Sequence, residues 1–301
     1  QLRPDPGRIR LTSVKGMGGI GKTTLAIEVA HKVKQDYPDA QLFLDLQGMS
    51  ECPTTTTEVM AKIIRALNHD VRELPATEDE LEPIYRNELS NKQVLIVLDN
   101  VADDSQIRKL IAGNGTGYII TSRKGFAIEG VVSIPVELFS PSSSRQLLRE
   151  IVKNHRNHDE DSRFEALAKF CDYLPLALRV AGSFLALRPS MAINDYLKAL
   201  RAEKIRLKEG SQDVDAVLRL SAAQLVRDNP HLAVRWNALA KYPGDFDNKA
   251  LQAAWGSDTD ELTLQCDLAD LVNRSLILFD IDHSRYRLHD LMKPIARGLF
   301  K

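Results

Sequence analysis

The sequence predicts an α/β domain on a parallel five-stranded sheet, followed by an all-α helical domain and a winged-helix domain. Three observations predict it. Short apolar runs alternate with helix-period segments over residues 1–138, the pattern of successive βαβ units. A glycine-rich loop, Gly16-Met-Gly-Gly-Ile-Gly-Lys-Thr23, stands between the first apolar run and the first helical segment. From residue 139 helical patterns follow one another, and a pair of short strand candidates returns only near the C-terminus.

The strand candidates of the first part are residues 9–14, 41–46, 94–98, 118–121 and 131–136. Residues 94–98 are apolar on both faces, as a strand covered by helices on each side requires. Leu25, Val29 and Val33 recur at helical spacing, with Ala26 and Ala30 beside them. Val59, Ile63 and Leu67 repeat the pattern after the threonine run 54–57, whose last hydroxyl is a candidate helix cap.

Serines 142–144 open a helix carrying Leu147, Leu148, Ile151 and Val152. A polar stretch, 154–161, precedes helices near 162–172, 174–187 and 192–202, and the charged segment 201–210 is a candidate linker. Helices near 213–226, 231–241, 247–254 and 260–273 follow. Strand candidates 275–281 and 285–288, a turn at 282–284 and a closing helix complete the chain. The expected domains are 1–138, 139–210 and 211–301.

Composition narrows the function. The 301 residues carry 40 Lys and Arg against 41 Asp and Glu, so no overall charge draws the chain to nucleic acid or an anionic membrane. Cys52, Cys171 and Cys266 form no C-x-x-C pair, which argues against a disulfide framework and a zinc site. Reduced, buried thiols and a cytoplasmic location are expected. No apolar run approaches the roughly 18 residues of a membrane span. The chain opens on Gln1 with neither an initiator Met nor an apolar leader, which reads as a piece of a longer protein.

The loop is a full G-x-x-x-x-G-K-[ST] phosphate-binding motif, so the first part is expected to be a P-loop nucleotide-binding domain. Its candidate binding residues are Gly18, Gly19, Ile20, Gly21, Lys22, Thr23 and Thr24. Glycines reach positive φ and let successive N–H groups turn inward toward an anion, and the helix start behind them adds partial positive charge. Lys22 can reach the β and γ phosphates, and the Thr23 hydroxyl can ligate Mg2+. Asp99, ending the 94–98 run, is the candidate for holding the metal's water shell. Arg123, after Thr121-Ser122, is a candidate γ-phosphate contact. His155 and His158 lack a third ligand and read as solvated; His31 and His69 read as helix-surface residues.

An ordered series runs through the chain: Gly16 to Ala26, Leu95-Ile-Val-Leu-Asp-Asn-Val101, Ile119-Ile-Thr-Ser-Arg123, Leu174-Pro-Leu-Ala-Leu178 and Leu288-His-Asp290. The series resembles the NB-ARC class of STAND (signal-transducing) P-loop ATPases, which includes plant disease-resistance proteins, the apoptotic protease activator and bacterial members. The resemblance spans nearly the whole chain. It implies a switch in which ADP holds a closed state and ATP favours opening and self-association. It implies that Pro175 packs on adenine, that His289 meets the β-phosphate of ADP, and that effector and sensor domains flank the segment.

The series also has departures. Asn100 stands where the class commonly has a second acidic residue, and a neutral amide orients water without taking its proton. Lys22, Asp99, Asn100 and Arg123 are therefore the candidate machinery of a slow ATPase. Asp172 and Tyr173 replace glycines, and Leu288 replaces a methionine. The rival reading is a nucleotide-regulated transcription regulator that meets DNA through the winged helix or a missing flanking domain. The candidate recognition helix, 259–274, carries Asp260, Glu261, Asp267 and Asp270 against Arg274, so DNA binding by this segment is not expected. No acceptor site for a kinase stands out.

Overall fold

The computed structural model describes residues 10–50, 52–126, 128–152, 161–207, 212–242, 244–256, 259–280 and 284–299. The chain divides into two compact units, Gln1–Glu137 and Leu138–Lys301.

In the first unit, β1 (Arg10–Lys15) leads through the glycine-rich loop into α1 (Lys22–Val33). β2 (Ala40–Asp45), α2 (Thr56–Leu67), α3 (Glu78–Leu89), β3 (Val94–Val101), β4 (Gly117–Ser122) and β5 (Val131–Pro135) follow. The sheet is parallel throughout, in the order β2-β3-β4-β1-β5.

Period-two alternation sorts the strand residues onto two cores. Ile96, Leu98, Tyr118 and Ile120 face one way and pack with Val59, Met60, Ile63 and Ile64 of α2 and Leu81 and Tyr85 of α3. Leu95, Val97 and Ile119 face the other way and pack with Val14, Ala26 and Tyr37. Helical spacing marks α1 correctly, but its buried side is centred on Ala26, and Leu25 is exposed. The small Ala26 side chain lets the helix approach β3 and β4 closely.

α2 is capped by Thr55, not by the last threonine of its run. The Thr55 hydroxyl accepts from Glu58 N–H, and Glu58 accepts from Thr55 N–H, a reciprocal capping box. α3 was not anticipated: it carries Pro83 in its interior and an acidic first turn, which dilute the apolar period.

The second unit contains α4 (Pro141–Val152), α5 (Asp161–Phe170), α6 (Pro175–Ala186) and α7 (Ile193–Arg206). It continues with α8 (Asp213–Asp228), α9 (Pro230–Leu239), α10 (Asn248–Trp255) and α11 (Glu261–Asn273). β6 (Leu278–Asp280) and β7 (Arg285–Arg287) form an antiparallel pair, and α12 (Lys293–Gly298) comes last. α6 is buried on nearly every side and packs on α4 and α8, and it is apolar all round apart from Arg179 and Ser183.

The expected linker is helical as far as Arg206, with its charges on the exposed side; residues 208–211 lie outside the described residues. Polar groups tie early helices to late ones. Asp228 of α8 pairs with both Arg188 and Arg274, and the Ser183 and Ser275 hydroxyls are 2.9 Å apart.

Two smaller expectations change. Cys171 is buried, whereas Cys52 and Cys266 are exposed. His31 is exposed on α1, but His69 sits in a turn after α2. The stretch 153–160, with His155 and His158, and residues 281–283, which include two residues of the expected turn, lie outside the described residues.

Candidate phosphate and metal site

The site is built at the carboxyl ends of β1, β3 and β4, where open parallel sheets bind ligands. Lys15, at the end of β1, is in register with Ser122 at the end of β4. Behind β1 the chain turns through Gly19 (φ 80°) and Gly21 (φ 98°), left-handed conformations that glycine adopts without strain. Gly16 is held tightly: a Cβ there would lie 3.1 Å from the Val136 carbonyl. At Gly21 a Cβ would meet nothing within 4 Å, so it is the left-handed φ rather than crowding that calls for glycine there.

Gly21 is also the N-cap of α1, with no side-chain cap and no acidic residue in the first turn. A helix start of this kind, with no acidic side chain over it, favours an anion through its partial positive charge. Lys22 Nζ donates to the Met17 carbonyl at 2.8 Å, which folds the amine back over the loop.

Thr23, in the first turn of α1, donates its hydroxyl to Asp99 Oδ1 at 2.8 Å. Asp99 is fully buried. Thr121 donates to the same oxygen at 2.5 Å and accepts from Asn100 N–H at 3.0 Å. Asn100 has φ 57°, and the pairing of β3 with β4 shifts register between Leu98 and Val101, a β-bulge. Gly48 N–H donates to the Asn100 carbonyl at 2.7 Å from the other side. Gln106 donates to the Leu46 and Thr54 carbonyls and accepts from Ala102 N–H, which ties together the loops after β2 and β3. Arg123 lies exposed just beyond β4; the preceding Ser122 is anchored to the Val101 carbonyl at 2.8 Å.

The donor set fits Mg2+. A hydroxyl and a buried carboxylate are hard oxygen donors beside an anion cradle. Among the described residues no group of three or more His, Cys, Asp or Glu could hold a metal alone. Such a donor pair suits an ion that takes its remaining ligands from water and phosphate.

Lys22, Thr23, Asp99, Asn100 and Arg123 thus converge on one edge of the first unit. Pro175 and His289 belong to the second. Pro175 is buried at the first position of α6, where its missing N–H costs nothing. His289 is half-buried, and its Nδ1 accepts from Leu291 N–H at 3.1 Å, so the neutral ring carries its proton on Nε2. For the adjacent Asp290, burial pushes the carboxyl up, but Lys293 and Arg287 outweigh it and hold it below the ordinary range. Thr121 and Gly48 were missed as site residues. The one signal in the sequence was a hydroxyl ending the apolar run of β4.

A model of the NB-ARC domain matches residues 3–160, just over half of the chain. The chain belongs to the NB-ARC family. It is therefore a P-loop nucleotide-binding protein of the STAND type. It is 35% identical over 96% of its length to the regulatory protein AfsR of Streptomyces griseus, of which it covers 30%. It is 28% identical over 96% of its length to disease resistance RPP8-like protein 3 of Arabidopsis thaliana, of which it covers 35%. This NB-ARC chain thus spans about a third of the length of these relatives.

In fold it is similar to a STAND protein with a tetratricopeptide repeat sensor from Pyrococcus horikoshii. The TM-score is 0.57 at 16% identity, covering 96% of this chain and 40% of that one. Among the described residues no helix is long and apolar enough to cross a membrane.

Proposed function

We propose that this NB-ARC chain is the ADP/ATP-binding switch module of a larger cytoplasmic signal-transducing NTPase. The observation that carries the reading is the Thr23–Asp99 contact beside the loop that turns through left-handed Gly19 and Gly21 into α1. Residues 18–24 cradle the phosphates in this reading, Lys22 neutralises them, and Thr23 and Asp99 hold Mg2+. The metal supplies charge neutralisation when bound.

The second unit supplies the state-dependent contacts. It is read as a helical domain, 139–210, and a winged-helix domain, 211–301. The order of α8–α11 followed by the β6–β7 hairpin supports the latter. Pro175 packs on adenine, and the Nε2–H of His289 donates to the β-phosphate of ADP. Arg123 answers to the γ-phosphate. A ligand moves an equilibrium only by its differential affinity for the two states, and driving it from 1:99 to 99:1 takes roughly 5.5 kcal/mol. His289 and Arg123 would give terms of opposite sign, with ADP closing the module and ATP opening it for self-association. Asn100 can orient a water but not deprotonate it, which supports slow hydrolysis.

A second reading, a module of a transcription regulator, is favoured by the name of the AfsR relatives. DNA contact would then come from a flanking domain. In α11, Asp267 and Asp270 are spent on Arg235 and Arg274, and the helix offers no basic face.

The test is to denature the purified protein and separate the released small molecules by chromatography. ADP or ATP in near-stoichiometric amount is expected. No released nucleotide, together with no uptake of added ADP or ATP, would overturn the reading.

A further inference from the structure

We propose that Thr121 is a positioning residue for the metal-bound nucleotide, acting through Asp99; the inference rests on the nucleotide reading above. A fully buried carboxylate is tolerated only when its oxygens are well partnered. Oδ1 of Asp99 accepts two hydroxyl hydrogen bonds, from Thr121 at 2.5 Å and from Thr23 at 2.8 Å.

The two hydroxyls have different tasks. Thr23 rides on α1 and can offer a lone pair to a metal while its O–H still donates to Asp99. Thr121 sits on the neighbouring strand β4 and is itself oriented, because its oxygen already accepts from Asn100 N–H at 3.0 Å. With that lone pair engaged, its only proton is directed at Asp99.

One hydroxyl therefore fixes the Asp99 side chain and the Asn100 backbone together, at the point where β3 bulges. The opposite side of the bulge is held by Gly48 N–H on the Asn100 carbonyl. Partners that orient a metal-holding group commonly change metal affinity 10–100-fold when removed.

The experiment compares the wild-type chain with Thr121→Val, Thr121→Ser and Thr121→Ala. ADP binding is measured by calorimetry with Mg2+ and again with the Mg2+ chelated. Thr121→Val is expected to lose about tenfold of the Mg2+-dependent gain in affinity while Mg2+-free binding stays within about twofold. Thr121→Ser is expected to restore the gain. Should Thr121→Val fail to fold, Thr121→Ala against Thr121→Ser makes the same comparison. An undiminished Mg2+ gain in the variants lacking the hydroxyl overturns the inference, as does an equal loss with and without the metal. A wild-type chain that binds ADP without any Mg2+ gain overturns this inference alone. One that binds no ADP in either buffer contradicts the nucleotide reading as well.

Discussion

Gly48 N–H donates to the Asn100 carbonyl at 2.7 Å, and the two backbones approach so closely that no side chain fits between them. A Cβ on Gly48 would lie 2.4 Å from that carbonyl oxygen and 2.3 Å from Ala102 N, both backbone atoms that cannot swing away. The contact holds the bulge that follows Asp99. Gly48→Ala is therefore expected to destabilise the protein by about 2–3 kcal/mol in urea unfolding. Gly298→Ala is the control: it lies exposed on α12 with open space around it, and should be neutral or slightly stabilising.

Asp172 and Tyr173 are consecutive left-handed residues, φ 50° and 54°, at the end of α5. Glycine is the usual solution at such a helix end. Asp172→Gly should gain about 0.5–1 kcal/mol by relieving the conformation, less the backbone entropy glycine loses.

Burial and the nearby Asp213 also raise the Asp172 carboxyl above its ordinary 3.8, against the pull of Lys204. The folded state then binds this proton more tightly than the unfolded one. The cost is fully present above the raised folded pKa and is relieved as pH falls toward 3.8. Asp172→Asn should be more stable than wild type at pH 7, with the advantage shrinking on acidification. A gain independent of pH in thermal melts would remove the charge argument.

Arg235 links three helices of the second unit. It pairs with Asp267 of α11 and lies over the Trp255 ring of α10, at 5.3 Å from its centroid. The paired side chains are only 12% and 16% exposed. Asp267→Ala leaves the guanidinium partly buried without its carboxylate and is expected to cost about 3 kcal/mol in denaturant unfolding.

In the proposed lock, the His289 ring donates to the β-phosphate of ADP. With Nδ1 accepting from Leu291 N–H, the Nε2–H is the ring's donor. His289→Ala should speed ADP dissociation about tenfold, the worth of one hydrogen bond to a charged group. Stopped-flow release of a fluorescent ADP measures this, and an unaltered off-rate removes the residue from the proposed lock.

Much of the sheet was legible in the sequence because burial on both faces writes itself as continuous apolar runs, as in residues 94–98. The loop and Asp99 were legible for a related reason: φ > 0, a close anion and a strand-end carboxylate each demand particular residue types. Ala26 shows one limit. Spacing finds a helix, but which side is buried depends on how closely it can approach its sheet. Pro83 and its acidic neighbours hid α3 because a proline and carboxylates in a helix break the apolar period without preventing tertiary packing. Thr121 and Gly48 were illegible as site residues because their importance lies in contacts to Asp99 and Asn100 across strands. Pro175 and His289 rest on the resemblance, since a helix-starting proline and a lone histidine form no sequence pattern that marks a site.

The central claim is that the loop of residues 16–23 binds the phosphates of an adenine nucleotide, with Lys22 as the charge that holds them. Titration of ADP and ATP into the nucleotide-stripped protein by calorimetry tests it most directly, with Lys22→Ala beside the wild type. Saturable one-to-one binding that the substitution abolishes or weakens at least a hundredfold is the result the account predicts. A hundredfold corresponds to about 2.7 kcal/mol, the scale of a lost charge-assisted contact. Equal affinity in the two proteins would contradict it.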